Sequence, residues 1–209
     1  MKNSFKFLLL SFVFLIFWSN TIAQKSKAII PIHKEVVYKE LNRLWIDNAI
    51  YTRLSILCLT DRLQGVEETL ARLMKNQEDI GEFFSKYYTR EQGDEFCQLI
   101  SSNTALIVRI IRSKNTNSTT DLDVTQKRLA SKFNDLINFL VRLNPNLNKE
   151  ILASKLGAIV ELMNTQIDMR ISGNYAEDIQ NFDKIITQSI DFSDILAKGI
   201  IKQFPKRFI

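Results

Sequence analysis

Residues 41–59 read LNRLWIDNAIYTRLSILCL, and their periodicity decides the fold class. Leu41, Leu44, Trp45, Tyr51, Leu54, Cys58 and Leu59 recur at intervals of three and four, which puts them on one side of a helix; a half-buried strand would alternate at two. This stripe begins at Val36 and ends near Gly65. Leu70, Leu73, Ile80 and Phe84 form a second stripe that runs to about Tyr88. Thr89 followed by Gln92 has the pattern of a capping box and opens a third helix, with Phe96, Leu99, Ile100, Leu106, Ile107 and Ile110 inside it.

Ser113 to Asp121 (SKNTNSTTD) contains no apolar residue and reads as a loop. Leu129, Phe133, Leu136, Ile137 and Leu140 mark a fourth helix, stopped by Asn144-Pro145-Asn146. Asn148 opens a fifth, with Leu152, Leu156, Ile159, Val160, Met163 and Ile167, and Ser172-Gly173 ends it. Asn174 with Glu177 caps a sixth, which carries Ile179, Phe182, Ile186, Ile190, Leu196 and Ile200 and stops before Pro205. Short connections make consecutive helices antiparallel neighbours. The expectation is an all-α, up-down bundle of five or six helices with no β-sheet, forming a single domain over residues 36–209.

Composition agrees with one sizeable core: 209 residues, 45% hydrophobic and 24% charged, with only 6 Gly and 3 Pro. The formal net charge is +5, and losing Lys2 and Lys6 lowers it to +3. That excess is too small to indicate a nucleic-acid partner, and none is expected. One His and two Cys remove most metal and nucleophile chemistry. No E-x-x-H, H-E-x-x-H, C-x-x-C, G-x-x-x-x-G-K or G-x-S-x-G is present. No catalytic residue, metal site or cofactor is therefore assigned.

The first 23 residues read as a secretory signal peptide. Lys2 and Lys6 precede the apolar run Phe7–Trp18 (FLLLSFVFLIFW), and Thr21-Ile22-Ala23 offers a cleavage site before Gln24. Twelve apolar residues rise only about 18 Å as a helix, short of a hydrocarbon core of roughly 30 Å. The expected product is exported, whether periplasmic, held in the cell envelope or extracellular. Residues 24–35, with Pro31 and the sole histidine, His33, read as a linker.

The two cysteines are not expected to pair, although export favours disulfides. Cys58 lies about 22 residues into the first helix and Cys97 about six into the third, an axial separation of about 24 Å if those helices run parallel. A bridge needs Cα atoms within about 7 Å.

Polar side chains on the apolar stripes are the informative anomaly. Asn48 lies between Leu44 and Tyr51, Gln77 between Leu73 and Ile80, and Asn103 between Leu99 and Leu106. Each is about eleven or twelve residues into its own helix, so in an up-down bundle the three fall at one height. Buried without partners, each amide would cost on the order of 1–3 kcal/mol. Arg53 and Asp183 fall near the same level, flanked by Asp47 and Asp79. Asp47, Asn48, Arg53, Gln77, Asp79, Asn103 and Asp183 are the candidate interior layer. They either form a self-satisfied network that sets helix register or line a polar pocket for a ligand.

Near the C-terminal end, Lys198, Lys202, Lys206 and Arg207 lie beside Phe204 and Phe208. This mixture allows contact with a membrane surface, though four basic residues also make an ordinary solvated face.

Four strings together resemble an uncharacterised family of small exported bacterial helical-bundle proteins: Leu44-Trp45-x-Asp47 with Thr52-Arg53; Asn76-Gln77-x-Asp79-Ile80-Gly81; Asn144-Pro145-Asn146; and Gly199-Ile200-x-x-Gln203-Phe204-Pro205-x-x-Phe208. The resemblance spans residues 41–208. It implies histidines on the helix faces of relatives, one of them at the position of Asn48 and another at that of Asn103. Amides at those positions make metal binding by this chain unexpected. The expected role is a non-enzymatic binding or structural protein of the cell envelope; the alternative is a small-ligand carrier or carboxylate-based enzyme with a pocket inside the bundle.

Overall fold

The computed structural model describes residues 31–209. Residues 1–23, read above as a signal peptide, and the part of the expected linker up to residue 30 lie outside the described residues.

Six α-helices follow one another: α1 (Lys34–Thr60), α2 (Val66–Ser85), α3 (Arg90–Asn115), α4 (Thr119–Leu143), α5 (Lys149–Ile171) and α6 (Tyr175–Gln203). A single 3₁₀ turn, Pro205–Arg207, follows them. The fold is an all-α bundle, and the described residues contain no strand beyond one isolated bridge between Ile32 and Phe208. None of the described helices is long and apolar enough to cross a membrane.

Side-chain pairs give the helix directions. Asn48 meets Asn76 while Tyr51 meets Arg72, so α1 and α2 are antiparallel. Arg53 pairs with Asp178 and Asn42 with Ser193, so α6 runs back along the other side of α1. Arg142 reaches Glu95 and Asp121 reaches Arg109, giving antiparallel α3 and α4. The α5–α6 hairpin closes the ring through Lys155–Asp191 and Asn181–Leu162. The odd-numbered helices point one way and the even-numbered ones the other.

The caps explain why the elements stop where they do. Thr89 and Gln92 form the expected capping box, each side chain bonded to the other's backbone N–H. Asn148 caps α5 by accepting from the Ile151 N–H at 2.8 Å. Asn174 makes no such bond at the start of α6, contrary to the reading of its sequence. The α5–α6 turn is instead closed from the α5 side: Gly173 takes φ +79°, and the Asn174 N–H bonds back to the Met169 carbonyl at 2.9 Å.

The reading of residues 113–121 as a loop needs correction. Helix α3 continues to Asn115 and α4 begins at Thr119, leaving three connecting residues. The Ser113 and Thr116 hydroxyls donate to carbonyls four residues back, which lets polar side chains sit in the last turn. Asn117 adopts φ +54°, and the Ser118 N–H closes onto the Ser113 carbonyl, the same end motif as in α5. Asp121, in the first turn of α4, then accepts from both Arg109 and Ser113 and locks the two helices together.

Helices α2 and α3 approach closely where Gly81 faces Gly93. A Cβ added at Gly93 would lie 2.5 Å from the Gly81 carbonyl oxygen and 2.0 Å from the Ser85 hydroxyl.

Residues 31–33, just before α1, are not a free tether. Helix α1 starts at Lys34, two residues earlier than the periodicity suggests, and Ile32 exchanges backbone bonds with the strand-like end of the chain: its N–H donates to Arg207 at 2.9 Å and its carbonyl accepts from Ile209 at 3.1 Å. The apolar core falls into two clusters. The larger gathers Leu41, Leu44, Phe83, Phe84, Phe96, Phe139, Phe192 and their neighbours. The smaller holds Ile56, Ile110, Ile111, Leu129 and Ile167.

Candidate functional site: a chamber between two cores

Between the two apolar clusters lies a chamber of about 60 Å³ lined by five of the six helices. Helix α1 contributes Trp45, Asn48 and Thr52; α3 contributes Asn103 and Thr104. Phe133 and Leu136 come from α4, Ile159, Met163 and Gln166 from α5, and Ile185 and Ser189 from α6. Polar residues on several core stripes, Asn48, Asn103 and Gln166 among them, interrupt the apolar lining at this height.

Three lining residues carry a buried polar atom with no hydrogen-bond partner: Trp45 (Nε1), Asn103 (Oδ1) and Gln166 (Nε2). Their residues are 7%, 3% and 1% exposed, respectively. The indole of Trp45 is held by an edge-to-face contact with Phe192, ring centroids 4.8 Å apart. Asn103 donates its Nδ2 to the Leu99 carbonyl at 3.1 Å, which fixes the amide's orientation and leaves Oδ1 as the free acceptor. No lining residue is titratable, so the chamber has no general acid or base of its own.

Of the seven residues singled out from sequence, Asn48 and Asn103 line this chamber together. Asn48 donates to Asn76 Oδ1 at 3.0 Å, and Asn76, fully buried, donates to the Leu44 carbonyl at 3.0 Å. Gln77 is buried at the same height but faces α3, outside the chamber. It donates to the Thr104 hydroxyl at 2.5 Å and accepts from Ser101 at 2.9 Å, so its amide is satisfied on both sides. A one-residue step around α2, about 100° of rotation, accounts for the difference: Asn76 points to α1 and Gln77 to α3.

The charged candidates are not drawn into the interior layer. Asp47 pairs with Arg43 at 3.0 Å, Asp79 pairs with Lys75 at 3.1 Å, and both partners lie on their own helix's outer side. Asp183 is exposed. Arg53 does insert between helices, but its carboxylate is Asp178, not Asp183; both bonds of the fork measure 2.8 Å. The Arg53 guanidinium also lies over Phe182, 4.7 Å from its centroid. These carboxylates form no common site, and among the described residues no cluster of His, Cys, Asp or Glu is arranged to hold a metal ion.

Sequence reading missed Trp45, Gln166, Asn76 and Asp178. Gln166 gave the same signal as the three amides that were singled out, since it extends the α5 spacing Leu152, Leu156, Ile159, Met163 by three. Trp45 gave none, because an indole on an apolar stripe reads as core.

Two other expectations meet the structure here. Both cysteines are free thiols, and burial pushes the Cys97 thiol up from its ordinary pKa. The apolar part of the C-terminal segment is folded inward: Phe208 is buried against Tyr87, Phe204 packs edge-on to Tyr88, and Arg207 donates to the Lys86 carbonyl at 2.7 Å. Lys198, Lys202 and Lys206 remain exposed without the aromatic residues that membrane-surface contact would use.

No protein family, curated protein or solved structure matches the chain.

Proposed function

We propose that this chain is an exported, non-enzymatic binding protein of the cell envelope or its surroundings, which holds a small molecule in the chamber between its two cores. The observation that carries this reading is a cavity among five helices whose lining residues include Trp45, Asn103 and Gln166, each with a buried polar atom that lacks a protein partner. Native interiors satisfy nearly all buried polar groups, and each one left without a partner costs about 1–3 kcal/mol. Three such residues around one cavity favour a small-molecule site, where a few polar groups orient a ligand within an otherwise apolar lining. The absence of any ionisable lining residue favours binding over catalysis. Export rests on the charged, apolar and small-residue pattern of residues 1–23, and the resemblance to exported bacterial bundles belongs to the same proposal. A register-setting role has its own support on the α2 side, where Asn48, Asn76 and Leu44 form a closed chain of bonds.

Native mass spectrometry of the protein purified from its own host tests this. The expected result is a chain beginning at Gln24 that carries a small-molecule mass, with that mass lost when the chamber is filled by Ile159→Trp. A protein free of any adduct, whose melting temperature no metabolite in a broad panel raises, overturns the binding reading.

A further inference from the structure

We propose that the outer side of the α1–α6 seam is a docking surface for a second copy of this chain. The chamber lies on the inner side of the same two helices, so the two surfaces are separate.

Over its first half, α6 is turned inside out. Its buried side carries Asp178, Asn181, Ile185 and Ser189, only one of them apolar. Ile179, Phe182, Ile186 and Ile190, whose spacing reads as a core stripe, lie on the outer side, one residue round the helix. Ile179 is 58% exposed and the other three are half-buried. On α1, Ile46, Ile50, Leu54 and Leu57 form a matching outer stripe, with Ile50 38% and Leu54 40% exposed. Neither stripe belongs to either apolar cluster. The two stripes adjoin. Arg53 forks onto Asp178 and lies over Phe182, 4.7 Å from its centroid, and Asn42 meets Ser193 further along the seam. At about 100° per residue, both stripes lie outward of the Arg53–Phe182 contact by about 100° of rotation or less. Single exposed apolar side chains are ordinary, whereas a contiguous set on two neighbouring helices marks an interaction surface.

The surface fits a copy of itself. The α1 stripe is centred between Ile50 and Leu54 and the α6 stripe between Phe182 and Ile186. The Arg53–Asp178, Trp45–Phe192 and Asn42–Ser193 contacts bring those centres to one height, within about a turn. A two-fold axis in the plane of the face, perpendicular to the helices, then sets Ile46 against Leu57 of the second copy and Ile50 against Leu54. On α6 it sets Ile179 against Ile190 and Phe182 against Ile186. The same operation brings Arg43, its side chain 59% exposed, toward Asp61 of the second copy, so the apolar pairs end on opposite charges. The area suffices as well. Helices α1 and α6 are each about 40 Å long, and with axes about 10 Å apart they offer a face about 20 Å wide. That is up to about 800 Å² per copy, the usual share of a stable interface, with an apolar centre and a polar rim.

Analytical ultracentrifugation of the purified protein, with reductant present to keep both thiols free, supplies the test. The wild type should sediment as a dimer at micromolar concentration. Ile50→Glu and, separately, Ile186→Glu should raise the dimer dissociation constant about tenfold or more. Both should keep the helical circular dichroism of the wild type, since neither side chain belongs to a core. Met74→Glu, at a residue 54% exposed on α2, should leave the dimer unchanged. A wild type that stays monomeric at about 0.1 mM, or a dimer that both α1 and α6 variants leave intact, overturns the proposal. Monomers that bind phosphatidylcholine vesicles, and lose that binding in Ile50→Glu and Ile186→Glu, would overturn it too, in favour of a lipid surface.

Discussion

At Gln166 a single side chain sets stability against the proposed binding role. Its Nε2 is buried without a partner in the chamber wall, so the folded protein carries the desolvation penalty of an amide. Gln166→Leu removes that penalty at similar volume. The ligand-free protein should gain about 1 kcal/mol in urea unfolding, and under the proposed binding role the co-purifying small molecule should be lost. A variant less stable than wild type would show that water already satisfies the amide. Asp121 illustrates the opposite case, a polar group whose partners are complete. The Arg109 guanidinium and then the Ser113 hydroxyl hold its carboxyl down to a pKa of about 2. The folded value lies below the ordinary value near 3.9, so the contribution is present above about pH 4 and is lost as pH falls toward 2. Carboxyl NMR should find Asp121 titrating below the other exposed aspartates, and the α3–α4 connection should loosen first on acidification. Arg109→Gln should return its pKa toward 3.9.

At the scale of elements, two glycines within helices have opposite consequences. Gly157 sits on the exposed side of α5 with open space around a notional Cβ. Gly157→Ala should stabilise by about 0.5–1 kcal/mol, because alanine loses less backbone entropy in a helix. Gly93 lies where α3 crosses α2, and the atom a methyl group would meet first after the Ser85 hydroxyl is a backbone oxygen. Rotating Ser85 away does not relieve that second clash, so α2 must shift. Gly93→Ala should therefore destabilise by about 1–3 kcal/mol despite its better helix propensity. Parallel thermal melts of the two variants check the sign of each. Helix identities and most boundaries were legible from apolar spacing, because the stripes are long and the period is unambiguous. The α3–α4 loop was misread because serine, threonine and asparagine signal turns in general, yet here their hydroxyls bond within the last turn of a helix.

For the whole molecule, the ring of helices is completed by a clasp between Ile32 and the segment after α6. Phe208 is buried beside Tyr87 and its neighbours exchange backbone bonds with Ile32 and Lys34. Next to it, Tyr88 donates to Gln203 at 2.8 Å and accepts from Asn144 at 3.1 Å, and burial pushes its pKa up to about 12. The Asn144-Pro145-Asn146 and Gln203-Phe204-Pro205 strings thus meet at one end of the bundle, joining the α4–α5 turn to the end of α6. Phe208→Ala should cost about 3 kcal/mol in equilibrium unfolding, the usual loss for a buried aromatic ring. A cost below 1 kcal/mol would mean that the clasp frays without consequence. The chamber lies away from this end, so the proposed binding should survive in the variant.

Periodicity along the chain was enough to specify a bundle of five or six helices, their alternating directions and the presence of amides at mid-height, since each of these depends on local spacing and short connections. Which amides share a space was not a local property. One residue of rotation on α2 separates Asn76, bonded to α1, from Gln77, bonded to α3, and only packed neighbours determine which way each side chain turns. Arg53 likewise had several carboxylates within reach by height alone, and the crossing of α1 with α6 selected Asp178. The chamber exists because five helices meet with their apolar faces interrupted, and that is a relation between helices distant in sequence.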